Sequence, residues 1–455
     1  MWSPKLIANK QPIYQQLADA MAKAIEQGDL KVGDKLPPQR KLAWQLNINV
    51  STVTKAFHLA TQRHLISGEV GRGTYVLAQS SEAKLYQLKN SYNAEHIDLS
   101  THVPAYNTNS DDLAKTLSVI LTEKNTFSHY SQYLPPHAIQ RIQLCGQKWL
   151  QQLHYPIEPQ YCVATTTAQN ALLTTLLACT NKDDVILVGE FSFPSIRTIA
   201  KQLHLKLHGI KMDEQGIKPE SLDLAIRTTG STILVSDPTM QNPTASNMSM
   251  QRKQEIAEII KRHQLLFIEE FVIGMLSNEA PLSNTIKENA ILITSFAKAI
   301  NPGIRFALIA GKHPIIKQLI NDHHATTWQL SPLMAEVACQ WIESGISSHR
   351  LQWQQLEIEK RFRLFKKQFP SAIFPGNPVS SPHVWLATNK NSEVAALELH
   401  KLGVEVVPAK FFAVSHQFPH FIRVSLTAAT SHQQLKIALE TIYNANVILK
   451  KNAQN

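Results

Sequence analysis

The sequence is poor in cysteine, with four in 455 residues, and none of them forms a CxxC pair. This scarcity predicts free thiols in a reducing cytoplasm, without a disulfide framework. Long apolar runs are also lacking, since stretches such as 265–268 last only a few residues. A membrane span needs about 20. The first residues lack the apolar centre of a signal peptide, so we predict a cytoplasmic protein without a membrane segment. No histidines cluster along the sequence, so no metal site is predicted.

Acidic residues are fewer than basic ones, and the formal net charge is +10. Residues 1–78 contain ten Lys and Arg against five Asp and Glu, so about half of the excess lies in the first sixth of the chain. The length predicts two or more domains. The uneven charge favours a polyanion-binding module joined to a larger, nearly neutral domain.

The first 78 residues have the pattern of three short helices and a hairpin. Apolar residues at helical spacing predict helices over 14–27 and 50–65, and Pro37-Pro38 predicts the start of another between them. The segment 66–78 alternates around a glycine-rich turn, which is typical of a β-hairpin. Three helices and a hairpin predict a winged helix-turn-helix, whose third helix enters the major groove of double-stranded DNA.

Short hydroxyl side chains and helix-start amides at the beginning of the third helix suit phosphate and base-edge contacts. An arginine on the preceding helix and another on the wing are the candidate cations. The predicted DNA contacts are Arg40, Ser51, Thr52, Thr54, Lys55, Arg72 and Gly73. For any one of the helix residues, the alternative is an ordinary solvated position.

Residues 79–96 are polar and without periodicity, which predicts a linker. From residue 97 to 455, apolar runs at 184–188, 231–235, 265–268 and 290–293 alternate with helical stretches. This alternation predicts an α/β domain with a mostly parallel central sheet buried on both faces. Ligands of such sheets bind at the carboxyl ends of the strands.

The segment SFAKAINPGIR follows the last of these runs. A lysine at the end of a buried strand loses solvation, so we predict a lowered pKa for Lys298 and an amine available for a Schiff base. Ser295 and Arg305 can bind an adjacent phosphate by hydrogen bond and charge. The alternative is an ordinary loop lysine.

Further polar and aromatic residues follow other predicted strands. Thr167, Ala168 and Gln169 begin a helix and predict an anion site. Phe193 offers an aromatic face for a planar ring. Asn242 lies in a QNPT segment after one strand, and the carboxylates of the EE pair, which includes Glu270, end another.

The amino-terminal segment, with its LPPQRKLAWQL and GRGTYV motifs, resembles the DNA-binding domain of GntR-type regulators. The QNPT and SFAKAINPGIR motifs, in this order, resemble a fold-type I aminotransferase domain dependent on pyridoxal 5′-phosphate (PLP). The whole chain therefore resembles a MocR-type transcription regulator. The implied domains are a GntR-type winged helix-turn-helix over 1–78, a linker over 79–96 and an aminotransferase-like domain over 97–455.

The resemblance implies roles for the residues named above. Lys298 would form the internal aldimine, Asn242 would contact the ring 3′-oxygen, and Phe193 would stack on the ring. The phosphate would be bound by Ser295, Arg305, Thr167, Ala168 and Gln169. Arg423 would take the carboxylate of an amino acid effector.

Among the positions that depart from the family pattern, Glu270 and Ile273 stand where an aspartate and a tyrosine are usual, and Thr167 stands where the phosphate turn usually has a glycine. This weakens the expectation of efficient transamination more than that of cofactor binding. We therefore expect a homodimeric regulator that binds a DNA operator and senses PLP or an amino compound through Lys298. The alternative is a PLP-dependent aminotransferase for an amino acid with an appended DNA-binding domain. A general nucleic-acid-binding protein would explain the charge but not the strand-end residues.

Overall fold

The structure is a computed structural model. It describes residues 2, 4, 12–27, 29–30, 34–62, 65–69, 73–76, 96–107, 111–122, 127–322, 329–370, 380–415 and 419–449. These residues divide into two compact units, one within 1–91 and one within 92–455. The predicted linker, apart from His96, and the predicted contact Arg72 lie outside the described residues. The predicted domain limits at 78 and 97 therefore stay predictions.

The amino-terminal unit contains three helices and a two-stranded antiparallel sheet. The elements are α1 (Ile13–Gln27), α2 (Gln39–Leu46), α3 (Val50–Gln62), β1 (Ile66–Glu69) and β2 (Gly73–Val76). Helix α2 begins directly after Pro38, whose extended backbone suits a helix start. The side chain of Asn49 accepts the amide of Ser51 at 3.0 Å and so caps α3.

A small apolar core holds this unit together. Val53, Phe57 and Leu65 are all buried, and they pack with Leu17 of α1 and Leu42 of α2. Three helices around one core followed by a hairpin confirm the predicted winged helix-turn-helix architecture.

The second unit is an α/β structure with eleven helices of eight or more residues among those described. They are α4 (Asp112–Thr122), α5 (Pro136–Gln152), α6 (Ala168–Cys179), α7 (Ser195–Gln202), α8 (Pro219–Thr229), α9 (Met250–His263), α10 (Ile315–Asp322), α11 (Pro332–Glu343), α12 (Ile346–Gln368), α13 (Ser392–Lys401) and α14 (His432–Asn444). Among the helices that the structure describes, none has both the length and the apolar composition needed to span a bilayer.

The strands of this unit form one large sheet and several small ones. The large sheet contains β4 (Cys162–Thr165), β5 (Val185–Gly189), β6 (Lys206–Ile210), β9 (Ile233–Ser236), β10 (Leu266–Glu270), β11 (Ala290–Ser295) and β12 (Ala307–Ala310). The small sheets contain β3 (Ile97–Asp98) with β14 (Val404–Glu405), β7 (Met212–Asp213) with β8 (Gly216–Ile217), and β13 (His383–Ala387) with β15 (Val407–Pro408) and β16 (Phe421–Ser425).

The large sheet has the strand order β4-β12-β11-β10-β9-β5-β6 and is mostly parallel, as predicted. Its exception is β12, which runs antiparallel to both β11 and β4. The other strands therefore end at one edge of the sheet, and β12 begins at that same edge. Every loop that leaves a parallel strand, together with the segment before β12, meets at this edge.

Both faces of the sheet are covered, which explains the continuously apolar strands. Ile186 and Val188 of β5 face one apolar cluster, together with Leu172 and Ile196 of two helices. Leu187, between them in sequence, faces a second cluster on the opposite face. Side chains of a strand alternate between faces, so a strand buried on both sides carries no polar positions until it ends. In the inner strands the polar side chains thus lie at the carboxyl ends, whereas the outer strand β6 also carries Lys206 and His208.

Candidate functional site

The edge at which the parallel strands end gathers the predicted site residues of the second unit. Most of these residues lie in the loops that follow β4, β5, β9, β10 and β11, and Arg305 precedes β12. The one predicted residue that comes from elsewhere is Arg423, which lies on β16 of the three-stranded sheet. Its hydrogen bond to Asn242 brings it to the same site.

Lys298 ends the short 3-10 helix Phe296–Lys298, which begins directly after β11. Its Nζ donates a 2.8 Å hydrogen bond to the backbone carbonyl of His102. The side chain is partly buried, and the amine belongs to the segment that directly follows the end of β11. The hydrogen bond to His102 shows that the segment after β3 lies over the lysine.

Two buried histidines, which the sequence analysis did not identify, lie near each other at this site, and the carbonyl of one of them, His102, accepts from the amine. The rings of His102 and His383 have centroids 5.7 Å apart. Neither ring nitrogen of His102 has a hydrogen-bond partner among the described residues. Burial, followed by electrostatic interactions with His383, Lys298 and Arg423, holds the pKa of His102 well below its ordinary value. His102 is therefore a neutral ring at neutral pH, close to the Lys298 amine and the Arg423 guanidinium.

His383 is neutral as well. Burial lowers its pKa to about 3, and the nearby Arg423 acts in the same direction. Its Nε2 lies 3.0 Å from the carbonyl oxygen of Gln241, which can only accept, so Nε2 carries the proton. The hydrogen bond joins β13 of the three-stranded sheet to the loop that holds Asn242.

Asn242 and Arg423 form a buried pair. Nη1 of Arg423 donates to Oδ1 of Asn242 at 2.9 Å, and Nη2 donates to the backbone carbonyl of Ser100. Nε of Arg423 is buried and has no partner among the described residues. The guanidinium lies 4.9 Å from the ring centroid of Phe412. Burial lowers its pKa to about 10, so the group remains a cation at neutral pH.

The two glutamates at the end of β10 have different environments because successive side chains point to opposite faces. The carboxylate of Glu269 is fully buried and accepts the amides of Leu282 and Ser283 at 3.1 and 2.7 Å. It stabilises the loop after β10. Glu270 is partly exposed and ends β10 at the edge that holds the site.

A second carboxylate, which the sequence analysis did not identify, lies beside Glu270. Ser236 pairs with Glu269 in the parallel register of β9 and β10, which brings the next residues, Asp237 and Glu270, side by side. Asp237 accepts the amide of Asn242 at 2.8 Å. Burial raises the pKa of Asp237 well above its ordinary value, and Glu270 raises it further.

The predicted phosphate ligands lie at the same edge but differ in their present contacts. Thr167 caps α6 by accepting the amide of Asn170 at 2.9 Å, and Ala168 and Gln169 form the first turn. Arg305 is exposed and has a left-handed backbone, with φ of 53°. Ser295 accepts the amide of Ala297 and donates to the carbonyl of Phe306, both at 3.3 Å.

The aromatic residues after β5 are Phe191 and Phe193. Phe193, the predicted stacking residue, is partly buried. Phe191 packs near Trp385 at 5.8 Å between ring centroids, and Trp385 lies 5.7 Å from Phe412. Ile273, at the position where a tyrosine is usual, is buried and belongs to an apolar cluster, so it supplies no hydroxyl to the site.

In the amino-terminal unit, the predicted DNA contacts lie at and near the start of α3. Arg40, Ser51 and Lys55 are exposed, and Thr52 is partly exposed. The hydroxyl of Thr54 is exposed but donates to Gln39 and to the carbonyl of Val50, at 2.8 and 3.0 Å. Gly73 begins β2 with φ of 120°, a conformation that favours glycine.

Comparison with known proteins identifies both units. Residues 94–442 match the family described as "Aminotransferase class I and II". Residues 13–76 match "Bacterial regulatory proteins, gntR family". The uncharacterized HTH-type transcriptional regulator YdeF of Bacillus subtilis is 29% identical over 451 residues, which cover 96% of this chain and 95% of YdeF.

Two further similarities extend this result. The vitamin B6 salvage pathway transcriptional repressor PtsJ of Salmonella typhimurium is 23% identical, over 90% of this chain and 94% of the repressor. The structure of LysN, an alpha-aminoadipate aminotransferase from Thermus thermophilus complexed with N-(5′-phosphopyridoxyl)-L-leucine, has a TM-score of 0.71 at 15% identity. It covers 81% of this chain and 94% of LysN, which shows that the second unit has the fold of these aminotransferases.

The matched families, in the order found here, agree with the MocR-type arrangement that the sequence resembles. The chain belongs to the aminotransferase class I and II family and carries a gntR-family DNA-binding domain, so it is a transcription regulator with an aminotransferase-like domain.

Proposed function

We propose that the aminotransferase-like unit binds PLP and that the regulator senses PLP, or an amino compound that reacts with it, at Lys298. The observation that carries this proposal is the position of Lys298 at the sheet edge, with Asn242, Glu270 and the start of α6 on neighbouring strand ends. An amine, an anion site and a carboxylate at one edge match the aldehyde, the phosphate and the pyridine nitrogen of PLP.

Buried polar atoms without partners support a bound ligand. At the site, among the described residues, these atoms are both ring nitrogens of His102 and Nε of Arg423. Leaving such groups unpaired costs about 1–3 kcal/mol each. A polar ligand in the site would restore hydrogen bonds to several of them, so the residues present fit the cofactor.

We assign the residues that would hold the cofactor as follows. Lys298 would bind the aldehyde carbon, and Glu270 would pair with the ring nitrogen. Asn242 would donate to the 3′-oxygen from Nδ2, because its Oδ1 already accepts from Arg423. The start of α6, Ser295 and Arg305 would bind the phosphate, and Phe193 would cover the ring. When bound, PLP supplies an aldehyde that condenses reversibly with primary amines.

Arg423 is our candidate for the carboxylate of an amino acid effector. A guanidinium binds a carboxylate through two parallel hydrogen bonds. Nε has no partner among the described residues, whereas Nη2 donates to the carbonyl of Ser100. Nη2 carries two N–H groups, so a carboxylate that takes Nε and Nη2 would bind next to the Ser100 carbonyl. The backbone of residues 100–102 accepts hydrogen bonds from both functional side chains, from Arg423 at Ser100 and from Lys298 at His102.

This double contact offers a route from ligand to DNA. Residues 100–102 follow the predicted linker by only a few positions, so a ligand that releases them changes the start of the second unit. Signalling requires different affinities of the ligand for two arrangements of the protein. We propose a homodimer, as is usual for this fold, that presents two winged helices to paired half-sites of an operator.

The absorbance spectrum of the purified protein, before and after addition of PLP, tests cofactor binding. We expect a band at the border of the near-ultraviolet and the visible that is absent from Lys298→Ala. Lys201→Ala, which removes an exposed lysine from α7, is the matched control and should keep the band. A band that persists in Lys298→Ala would contradict the assignment. Turnover of an amino acid with an oxo acid at an enzymatic rate would instead favour the aminotransferase alternative.

A further inference from the structure

His96, His400 and Glu405 form a compact cluster away from the strand-end site. Nδ1 of His96 lies 3.1 Å from Oε1 of Glu405, and Nδ1 of His400 contacts the same oxygen. The two imidazole rings meet edge to face, with centroids 4.9 Å apart. Within the described part of the chain, this is the one group of three or more His, Cys, Asp or Glu side chains close enough to share an ion.

The three side chains are positioned by regular backbone structure. β3 and β14 pair in parallel, with Asp98 opposite Glu405, and the amide of Ile97 donates to Gly403 at 2.7 Å. His96 lies two positions before Asp98, so it shares one face of the pair with Glu405. Helix α13 ends just beyond His400, and Gly403 has a φ of 82°. This left-handed turn reverses the chain and places His400 beside Glu405.

We propose that these residues form a Zn²⁺ site of the His₂Glu type. Imidazole nitrogen and carboxylate oxygen bind Zn²⁺ at about 2 Å, so two ligands of a tetrahedral ion are about 3.3 Å apart. No two of the three ligand atoms are farther apart than 4.8 Å, so small side-chain rotations suffice for the ion to bind. Three protein ligands leave one coordination position for water.

The surroundings of the cluster favour a cation. Glu405 is largely buried, with 13% of its side chain exposed, so its charge needs a partner. The end of α13 adds the negative end of a helix dipole next to His400. The side chain of His400 is 49% exposed, which gives an ion access from solvent and leaves room for the water ligand.

The site would join the start of the second unit to a distant part of its chain. His96 and Glu405 are 309 positions apart in sequence, and His96 is the last residue of the predicted linker. An ion bound here would fix the chain four residues before Ser100, whose carbonyl binds Arg423. The site is independent of PLP, since it shares no residue with the strand-end site.

Isothermal titration of the chelator-treated full chain with Zn²⁺ tests the proposal, with Co²⁺ absorbance as a report of coordination. We expect one tight site per chain and a visible Co²⁺ band typical of tetrahedral coordination. His400→Asn and Glu405→Gln should each weaken this site by at least about tenfold. His432→Asn is the matched control, because His432 pairs with one carboxylate, Glu357, at 2.7 Å and has no second histidine.

Wild-type affinity in both His400→Asn and Glu405→Gln would overturn the site, as would equal loss in His432→Asn. Absence of a tight site in the wild-type chain would do the same. Lys298→Ala should bind Zn²⁺ as the wild type does, and His400→Asn should keep the PLP band. These two variants therefore separate failure of the metal site from failure of the proposed cofactor site. Thermal unfolding monitored by circular dichroism verifies that each variant is folded.

Discussion

At the scale of single residues, some polar atoms of the candidate site already have hydrogen-bond partners and others do not. Arg423 uses two of its nitrogens on Asn242 and Ser100, whereas His102 has no partner for its ring among the described residues. The same loop backbone contacts Lys298, the amine proposed to bind the PLP aldehyde, and Arg423, the cation proposed to bind an effector carboxylate. Access to both groups thus depends on one short segment.

The buried histidines predict a pH dependence of stability. His383 has a pKa of about 3 in the folded protein, against an ordinary value near 6.5 in the unfolded chain. Between these values only the unfolded state binds the proton, so the free energy of unfolding falls as the pH drops below about 6.5. Each such group contributes a slope of about 1.4 kcal/mol per pH unit.

Urea unfolding of the wild type and of His383→Gln between pH 7 and pH 4.5 measures this slope. Glutamine keeps a donor for the carbonyl of Gln241 but does not titrate. We expect a shallower acid-induced loss of stability in the variant, with the remaining slope partly due to His102, whose pKa is also lowered. Equal slopes in the two proteins would show that His383 is protonated in the folded state.

At the scale of elements, strand direction assembles the site. β12 runs against its neighbours, so the exposed Arg305 before it lies at the edge where β4 and β11 end. Successive side chains of β10 point to opposite faces of the sheet. Glu269 therefore binds the loop amides of Leu282 and Ser283, whereas Glu270 lies on the other face. Neither result depends on the chemistry of the ligand.

The helices of the amino-terminal unit give a prediction about DNA. Arg40 at the start of α2 and Thr52 in the first turn of α3 have side chains accessible to a major groove. Arg40→Ala and Thr52→Ala should each weaken operator binding by about 1–3 kcal/mol if these side chains contact base edges. Gel-shift titrations at fixed salt measure the affinities, since non-specific binding changes steeply with salt.

Lys23→Ala is the control for these variants, because Lys23 is an exposed cation on α1 outside the predicted contact set. It should leave the affinity nearly unchanged. Unchanged affinity in both Arg40→Ala and Thr52→Ala would remove these residues from the DNA contacts and leave Ser51 and Lys55 as the candidates on α3.

At the scale of the whole molecule, the proposal requires that ligand binding in the second unit changes DNA binding by the first. We predict that PLP, or an amino compound added with it, changes the operator affinity of the wild-type protein. Lys298→Ala should bind the operator with wild-type affinity but show no response to the ligand. Fluorescence anisotropy of labelled operator DNA, with and without ligand, measures both quantities. A full response in Lys298→Ala would exclude Lys298 as the sensing group.

Much of the fold follows from local sequence patterns. Apolar runs of four to six residues set the strands of the large sheet, and apolar residues at helical spacing set the helices around Val53 and Phe57. These patterns are local because the burial of one or both faces of a helix or strand requires apolar side chains to recur every few residues. The motif around Lys298 is likewise local, so the sequence by itself placed the lysine at the end of a strand.

Only the tertiary structure decided which distant residues meet. His102 and Asp237 carry no motif, and they join the site because loop packing and strand register bring them to Lys298 and Glu270. His96 and Glu405 appeared unrelated in the sequence, where no metal site was predicted, until β3 paired with β14. Such contacts depend on the positions of whole strands and helices, which the side-chain period of one segment does not determine.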